Sequence, residues 1–170
     1  MVAFTAFFNI PKLVITVIVL SMVASGLVFS YEVNQYASPR DVPFHSIQWG
    51  YYAKGYAHPT YLAINDQETW TRVWTQAFCD SYSCPPTPQV DFEHRTVLVV
   101  FLGQKPTSGY AVNVTQVTQQ GSELHVLVTL TTPGRSCGEY EVLTFPFHFV
   151  DLPKTSMAVT FTNQTSVRNC

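Results

Sequence analysis

The chain has 170 residues, of which 46% are hydrophobic and 12% are charged, and its formal net charge is -2 at pH 7. This length suffices for one domain with a sizeable core. The charge excludes the basic surface that nonspecific nucleic-acid binding requires, and the aromatic content of 14% is typical of a β-rich fold.

Residues 13–29 form an almost uninterrupted apolar run, preceded by Lys12. The length of this run fits both the core of a signal peptide and a single membrane anchor, so both alternatives stay open for residues 1–30. Small residues such as Ser30 offer cleavage sites. Either alternative places the rest of the chain outside the cytoplasm, secreted or anchored to the outer face of the cell membrane.

The remaining chain is predicted to be a linker and one domain. Residues 31–43 carry polar residues and prolines without periodicity, which is typical of a linker. Residues 44–170 are predicted to be an extracytoplasmic β domain. Its first two strands are expected at residues 45–54 and 60–64, on either side of a turn.

Residues 65–78 carry the pattern of an amphipathic helix. Asn65 is the predicted N-cap, and Glu68 three residues later completes a capping box. Trp70 and Trp74 belong to an apolar stripe at helical spacing, which we expect to pack on a sheet.

Residues 97–102 are a continuous apolar run, which predicts a strand buried on both faces. Residues 110–115 alternate between apolar and polar positions, which predicts a half-buried strand. We expect these two strands to pair as an antiparallel hairpin. Glycine and proline shape the loop between them at residues 103–109, and a shaped, exposed loop is a candidate for function.

The C-terminal third predicts further strands. Residues 124–131 alternate again and are expected to extend the hairpin into a meander. Two more strands, at 142–151 and 157–162, are expected to pair antiparallel about Pro153, and Pro146 indicates an edge position or a bulge. The predicted fold class is mainly β (α+β): an antiparallel sheet or β-sandwich with one amphipathic helix packed on it.

Three blocks occur in the order VDFEHRTVLVVFL, GQKPTSGY and FPFHFVDLPK. They resemble the C-terminal domain of the protease complex subunit PrcB family over residues 89–154. The resemblance implies an extracytoplasmic domain that accompanies a surface protease and has no assigned catalytic residues. The best-known members are lipoproteins, and this chain departs from them because its first cysteine is Cys79. PTSGY also resembles the PTTGY loop that chagasin-type inhibitors, which are secreted β-sandwich proteins, wedge into a protease active site.

Two function classes follow. The first is a non-catalytic protein-binding module, an accessory or inhibitor-like partner of a surface protease. The alternative is a structural cell-envelope or surface-assembly protein without a protease partner.

No hydrolase, phosphate-loop, dinucleotide or metal-ligand motif is present, so we expect no enzyme activity, cofactor or metal. Asp91 and Glu93 are interpreted as surface charge. The predicted partner-binding residues are Lys105, Pro106, Thr107, Ser108, Gly109 and Tyr110.

Four cysteines in a chain that leaves the reducing cytoplasm predict two disulfides. Three connectivities are possible. If the last two predicted strands pair about the turn, Cys137 lies close to Cys170, and Cys79 is left for Cys84. A bridge from Cys84 to Cys137 is the alternative.

Two sequons, at Asn113 and Asn163, are compatible with glycosylation in a host that has the machinery.

Overall fold

The structure is a computed structural model and describes residues 38–170. The described residues contain one helix and eight strands: β1 (Arg40–Asp41), β2 (His45–Gly50), β3 (Thr60–Ile64), α1 (Gln67–Phe78), β4 (Arg95–Phe101), β5 (Ala111–Gln120), β6 (Glu123–Pro133), β7 (Phe147–Pro153) and β8 (Ala158–Arg168). The predicted signal peptide or anchor, and residues 31–37 of the predicted linker, lie outside the described residues. Within 38–170, no helix is long and apolar enough to cross a membrane.

The domain consists of three layers. The first sheet has the strand order β1-β5-β6-β8, the second has the order β2-β7-β4-β3, and α1 packs on the second sheet. Strand β4 is buried on both faces because Val97 and Val99 face the helix while Leu98 and Val100 face the first sheet. The predicted β-sandwich with one packed helix is confirmed.

The N-cap of the helix lies one residue later than predicted. Asp66 is the N-cap, and its side chain accepts a hydrogen bond of 2.7 Å from the Thr69 N–H. The prediction of Asn65 as the cap is wrong, because Asn65 Oδ1 instead accepts a hydrogen bond of 2.6 Å from Thr96 Oγ1. The predicted stripe is buried, with Trp70 fully enclosed.

The predicted hairpin of β4 and β5 is wrong, because the two strands belong to different sheets. Strand β4 pairs with β3 and β7, whereas β5 pairs with β1 and β6. Of these three strands, only β5 and β6 form a hairpin, so the predicted three-stranded meander is wrong as well. Residues 102–110 cross from one sheet to the other.

The predicted pairing of the last two strands is also wrong. Strand β7 lies between β2 and β4, so Pro146 precedes an interior strand and is not at a sheet edge. Strand β8 belongs to the first sheet and pairs with β6 in parallel, with Phe161 opposite Val126. Residues 154–157 therefore carry the chain back across the sandwich.

The domain begins earlier than the predicted boundary at residue 44. Arg40 and Asp41 form β1, which pairs with β5, and the Val42 N–H donates a hydrogen bond of 2.8 Å to Val117 O. The end of the predicted linker is thus part of the first sheet.

Candidate functional site

Three segments meet at one end of the sandwich, and we call them the loop surface. They are residues 49–53 at the end of β2, residues 103–110 between β4 and β5, and residues 134–146 between β6 and β7. They lie together because β2 and β4 both run antiparallel to β7, and β6 runs antiparallel to β5. The ends of β2, β4 and β6 are therefore next to the starts of β5 and β7.

Backbone hydrogen bonds join the three segments. Lys105 and Thr144 exchange two bonds, of 2.8 and 3.0 Å, between their N–H and carbonyl groups. The Phe145 N–H donates a bond of 2.7 Å to Tyr51 O, and the Ser108 N–H donates one of 3.0 Å to Tyr140 O. Residues 103–110 are therefore bonded directly to residues 134–146, which are bonded in turn to residues 49–53.

Two glycines give the loop its shape. Gly103 and Gly109 have φ values of +76° and +86°, in the left-handed region that favours glycine. A Cβ atom on Gly109 would also lie 2.4 Å from the carboxylate of Glu139. Glycine at this position therefore permits both the turn and the close approach of Glu139.

The hydroxyl group of Ser108 binds the loop to the segment at residues 134–146. Its Oγ donates a hydrogen bond of 2.6 Å to Glu139 Oε2 and accepts one of 2.9 Å from the Tyr140 N–H. The other carboxylate oxygen of Glu139 forms an ion pair with Arg168 at the end of β8. Because both polar functions of Ser108 have partners within the protein, its role in this structure is to position the loop.

The structure brings all six predicted partner-binding residues together, but it exposes them unequally. Pro106 is exposed, and Lys105, Thr107, Ser108, Gly109 and Tyr110 are half-buried. Tyr110 packs against the core between the sheets. The Thr107 carbonyl accepts a hydrogen bond of 2.9 Å from Thr144 Oγ1. Pro106 is therefore the most accessible of the six.

Exposed hydrophobic side chains lie on the other two segments of the loop surface. Among the described residues, six of the eight large hydrophobic side chains that are exposed lie on the loop surface: Trp49, Tyr51, Tyr52, Tyr140, Val142 and Leu143. Sequence reasoning missed them, because aromatic and β-branched residues in short runs are usually buried in strands. The other two are Tyr82 and Val167.

One cluster of metal-ligand types is present in the described residues. Asp91, Glu93 and His94 place one ligand atom each within 4.8 Å of one another, and all three are exposed. Asp91 closes a turn before β4, since one of its oxygens accepts a bond from the Glu93 N–H and the other contacts His94 Nδ1 at 2.8 Å. The hydrogen bond with His94 is the main cause that lowers the pKa of Asp91. These contacts show that the three side chains lie close together because Asp91 stabilises a turn.

The structure contains the disulfides Cys79–Cys84 and Cys137–Cys170. The second pair is brought together by a different strand pairing from the one expected. The parallel register of β6 and β8 places Pro133 opposite Arg168, so the chain leaves both strands at the same place.

The two sequons lie in strands of the first sheet. Asn113 is half-buried in β5, and Asn163 is exposed in β8.

Comparison with known proteins gives one match. Residues 96–153 match the family model described as PrcB C-terminal. No curated protein and no solved structure matches the chain. The matched region runs from β4 to the end of β7 and includes the whole loop at 103–110. The resemblance carried by the three sequence blocks is therefore confirmed, because residues 96–153 of this chain match the PrcB C-terminal family model.

Proposed function

We propose that the domain is a non-catalytic, extracytoplasmic protein-binding module that contacts its partner through the loop surface. The observation that carries the proposal is the presence of six exposed hydrophobic side chains on the loop surface. Exposed apolar patches on soluble domains mark interaction sites, and tyrosine and tryptophan are enriched among the residues that dominate binding energy. The two disulfides are typical of proteins that fold outside the reducing cytoplasm.

The fixed backbone of the loop supports the same proposal. Association is weakened when a loop must be ordered on binding. Here the bonds between Lys105 and Thr144 and the contact of Ser108 with Glu139 hold the loop in one shape before a partner arrives. The module can therefore present Pro106 and its aromatic neighbours with little loss of conformational entropy.

The partner that we propose is a secreted or surface protease, which the module assists or restrains. This choice is supported by the match of residues 96–153 to the PrcB C-terminal family model, together with the sequence resemblance to a family whose best-known member accompanies a surface protease. The shaped loop with its exposed Pro106 also suits contact with a protease cleft. A structural role in the cell envelope, without a protease, is the alternative.

Capture from the detergent-solubilised envelope fraction of the source organism tests the proposal. The bait is the full chain, compared with a Tyr140→Ala/Leu143→Ala variant on the loop surface and with Tyr82→Ala as the matched control. Tyr82 is more exposed than Tyr140 and Leu143 and lies in the loop after α1. We expect the first variant to reduce capture of a protease, identified by mass spectrometry, by about tenfold or more. We expect Tyr82→Ala to capture as well as the wild type.

Equal capture by all three baits would show that the loop surface is not the binding site. Capture that depends on the loop surface but enriches only envelope proteins without protease activity would favour the structural alternative.

A further inference from the structure

Strand β8 forms an open edge of the first sheet. It is 11 residues long and pairs with β6 on one side, and no described residue pairs with its other side. An unpaired edge presents a row of free N–H and carbonyl groups that another strand can bind.

The β8 edge lacks the features that usually prevent such pairing. Its register with β6 runs without a bulge from Ala158 to Arg168, and it contains no proline or lysine. Its only charged residue is Arg168, at its last position. The other edges differ: β1 has 2 residues, β3 has 5, and β2 has a register shift between Ser46 and Gln48.

We propose that β8 pairs antiparallel with β8 of a second copy of this chain, about a two-fold axis at Asn163. Asn163 is the midpoint of the strand, so this register is the one in which every residue from Ala158 to Arg168 has a partner. The two first sheets then form one continuous sheet of eight strands. A two-fold contact of this kind uses the same surface on both copies and closes the assembly as a dimer.

The side chains of β8 are complementary to themselves in this register. Val167, which is 57% exposed, lies opposite the half-buried Val159 of the other copy. On the same face Thr165 lies opposite Phe161, and paired β-branched and aromatic side chains stabilise neighbouring strands.

Polar residues and the terminal charge also match across the axis. On the other face Thr160 lies opposite Ser166, and both are exposed. Arg168 lies opposite Ala158, so no like charges meet. A second copy is therefore an occupant that fits the edge along its whole length.

The oligomeric state of the full chain, made in a host without N-glycosylation and kept in a non-ionic detergent, tests the proposal. Sedimentation equilibrium is measured for the wild type and two double variants. Thr160→Glu/Ser166→Glu places like charges opposite each other at two sites related by the two-fold axis. Thr160→Lys/Ser166→Glu places opposite charges at the same two sites and is the matched control.

We expect a dimer for the wild type, a dimer dissociation constant raised about tenfold or more by the two glutamates, and recovery by the lysine–glutamate pair. A further variant, Asn163→Lys, replaces the glutamate variant if that protein does not fold. It sets two lysines opposite each other at an exposed position and is expected to dissociate the dimer in the same way. A monomeric wild type, or a dimer that is insensitive to the glutamates and to Asn163→Lys, would overturn the proposal. Equal dissociation of both double variants would overturn the register.

Discussion

At the scale of single residues, one residue of the loop that resembles a binding motif has a structural role. That residue is Ser108, which helps to hold the loop in position. The sequence TSGY placed Ser108 among the predicted contact residues, whereas the structure gives its hydroxyl to Glu139. Glu139 lies in an irregular segment 31 positions away, where no periodicity indicates a neighbour. The residues that suit partner contact are the exposed side chains on either side, such as Tyr140 and Trp49.

Gly109 provides a first prediction. Gly109→Ala should destabilise the protein by at least about 1–2 kcal/mol, because alanine at a φ of +86° is strained and its Cβ would meet the Glu139 carboxylate. Gly138→Ala in the neighbouring segment is the control, since a Cβ there has nothing within 4 Å. Urea unfolding measures both, and an equal loss for the two variants would contradict the assigned role of Gly109.

His148 connects the two sheets through its imidazole ring. It is 6% exposed, and its Nδ1 accepts a hydrogen bond of 3.0 Å from the Val114 N–H of β5. Because Nδ1 is an acceptor, the proton of the neutral ring lies on Nε2, which donates a bond of 2.9 Å to Ser46 Oγ in β2. Burial lowers the pKa of His148 below its ordinary value of 6.5.

The lowered pKa of His148 predicts a loss of stability in mild acid. As the pH falls below 6.5, the unfolded chain takes up a proton at this histidine before the folded chain does, so the free energy of unfolding decreases. Once the pH is below the folded pKa, this contribution is lost in full. His148→Asn keeps an acceptor near Nδ1 but does not titrate. Urea unfolding across this pH range should show a decrease for the wild type that the variant lacks, and parallel curves would contradict the prediction.

At the scale of elements, α1 was predictable because its signals are local. The spacing of Trp70 and Trp74 identifies the buried face without knowledge of the partner sheet. The structure adds that each indole N–H donates a hydrogen bond of 2.9 Å to the chain after the helix, to Pro88 O and Pro85 O respectively. The tryptophans therefore fix the following loop as well as the helix.

Truncation of the helix core gives the next prediction. Trp70→Ala should cost about 3–5 kcal/mol of unfolding free energy, because Trp70 is completely buried and packs against Phe149. Thr71→Ala, one position along on the exposed face, should change stability by less than about 0.5 kcal/mol. Equilibrium urea unfolding by circular dichroism compares them, and a loss below 1 kcal/mol for Trp70→Ala would show that the helix is not part of the core.

The existence of the strands was predictable, but their pairing was not. The continuous apolar sequence of β4 correctly indicates a strand that is buried on both faces. The alternation in β5 correctly indicates a strand with one buried face. Those patterns report burial and carry no information about which backbone lies alongside. The connection over residues 102–110 is longer than most hairpin loops, and this length was the available sign that the chain changes sheets.

At the scale of the whole molecule, the C-terminal disulfide shows that a correct contact can follow from an incorrect topology. An antiparallel pairing of β7 with β8 was expected to bring Cys137 to Cys170. The observed parallel pairing of β8 with β6 does so at a different place, where the Gly134 N–H donates a bond of 3.0 Å to Arg168 O. The bridge ties this end of the chain to the segment that holds Glu139 against the loop.

The two disulfides should differ in their contribution to stability. Cys137–Cys170 closes a segment with a sequence separation of 33, so Cys137→Ser/Cys170→Ser should lower the free energy of unfolding by about 3–4 kcal/mol through a larger entropy of the unfolded chain. Cys79–Cys84 has a separation of 5, and its double serine variant should lose about 2 kcal/mol. Urea unfolding of both variants at one temperature measures the difference. A larger loss for the short bridge would mean that native contacts, and not loop closure, determine what these disulfides contribute.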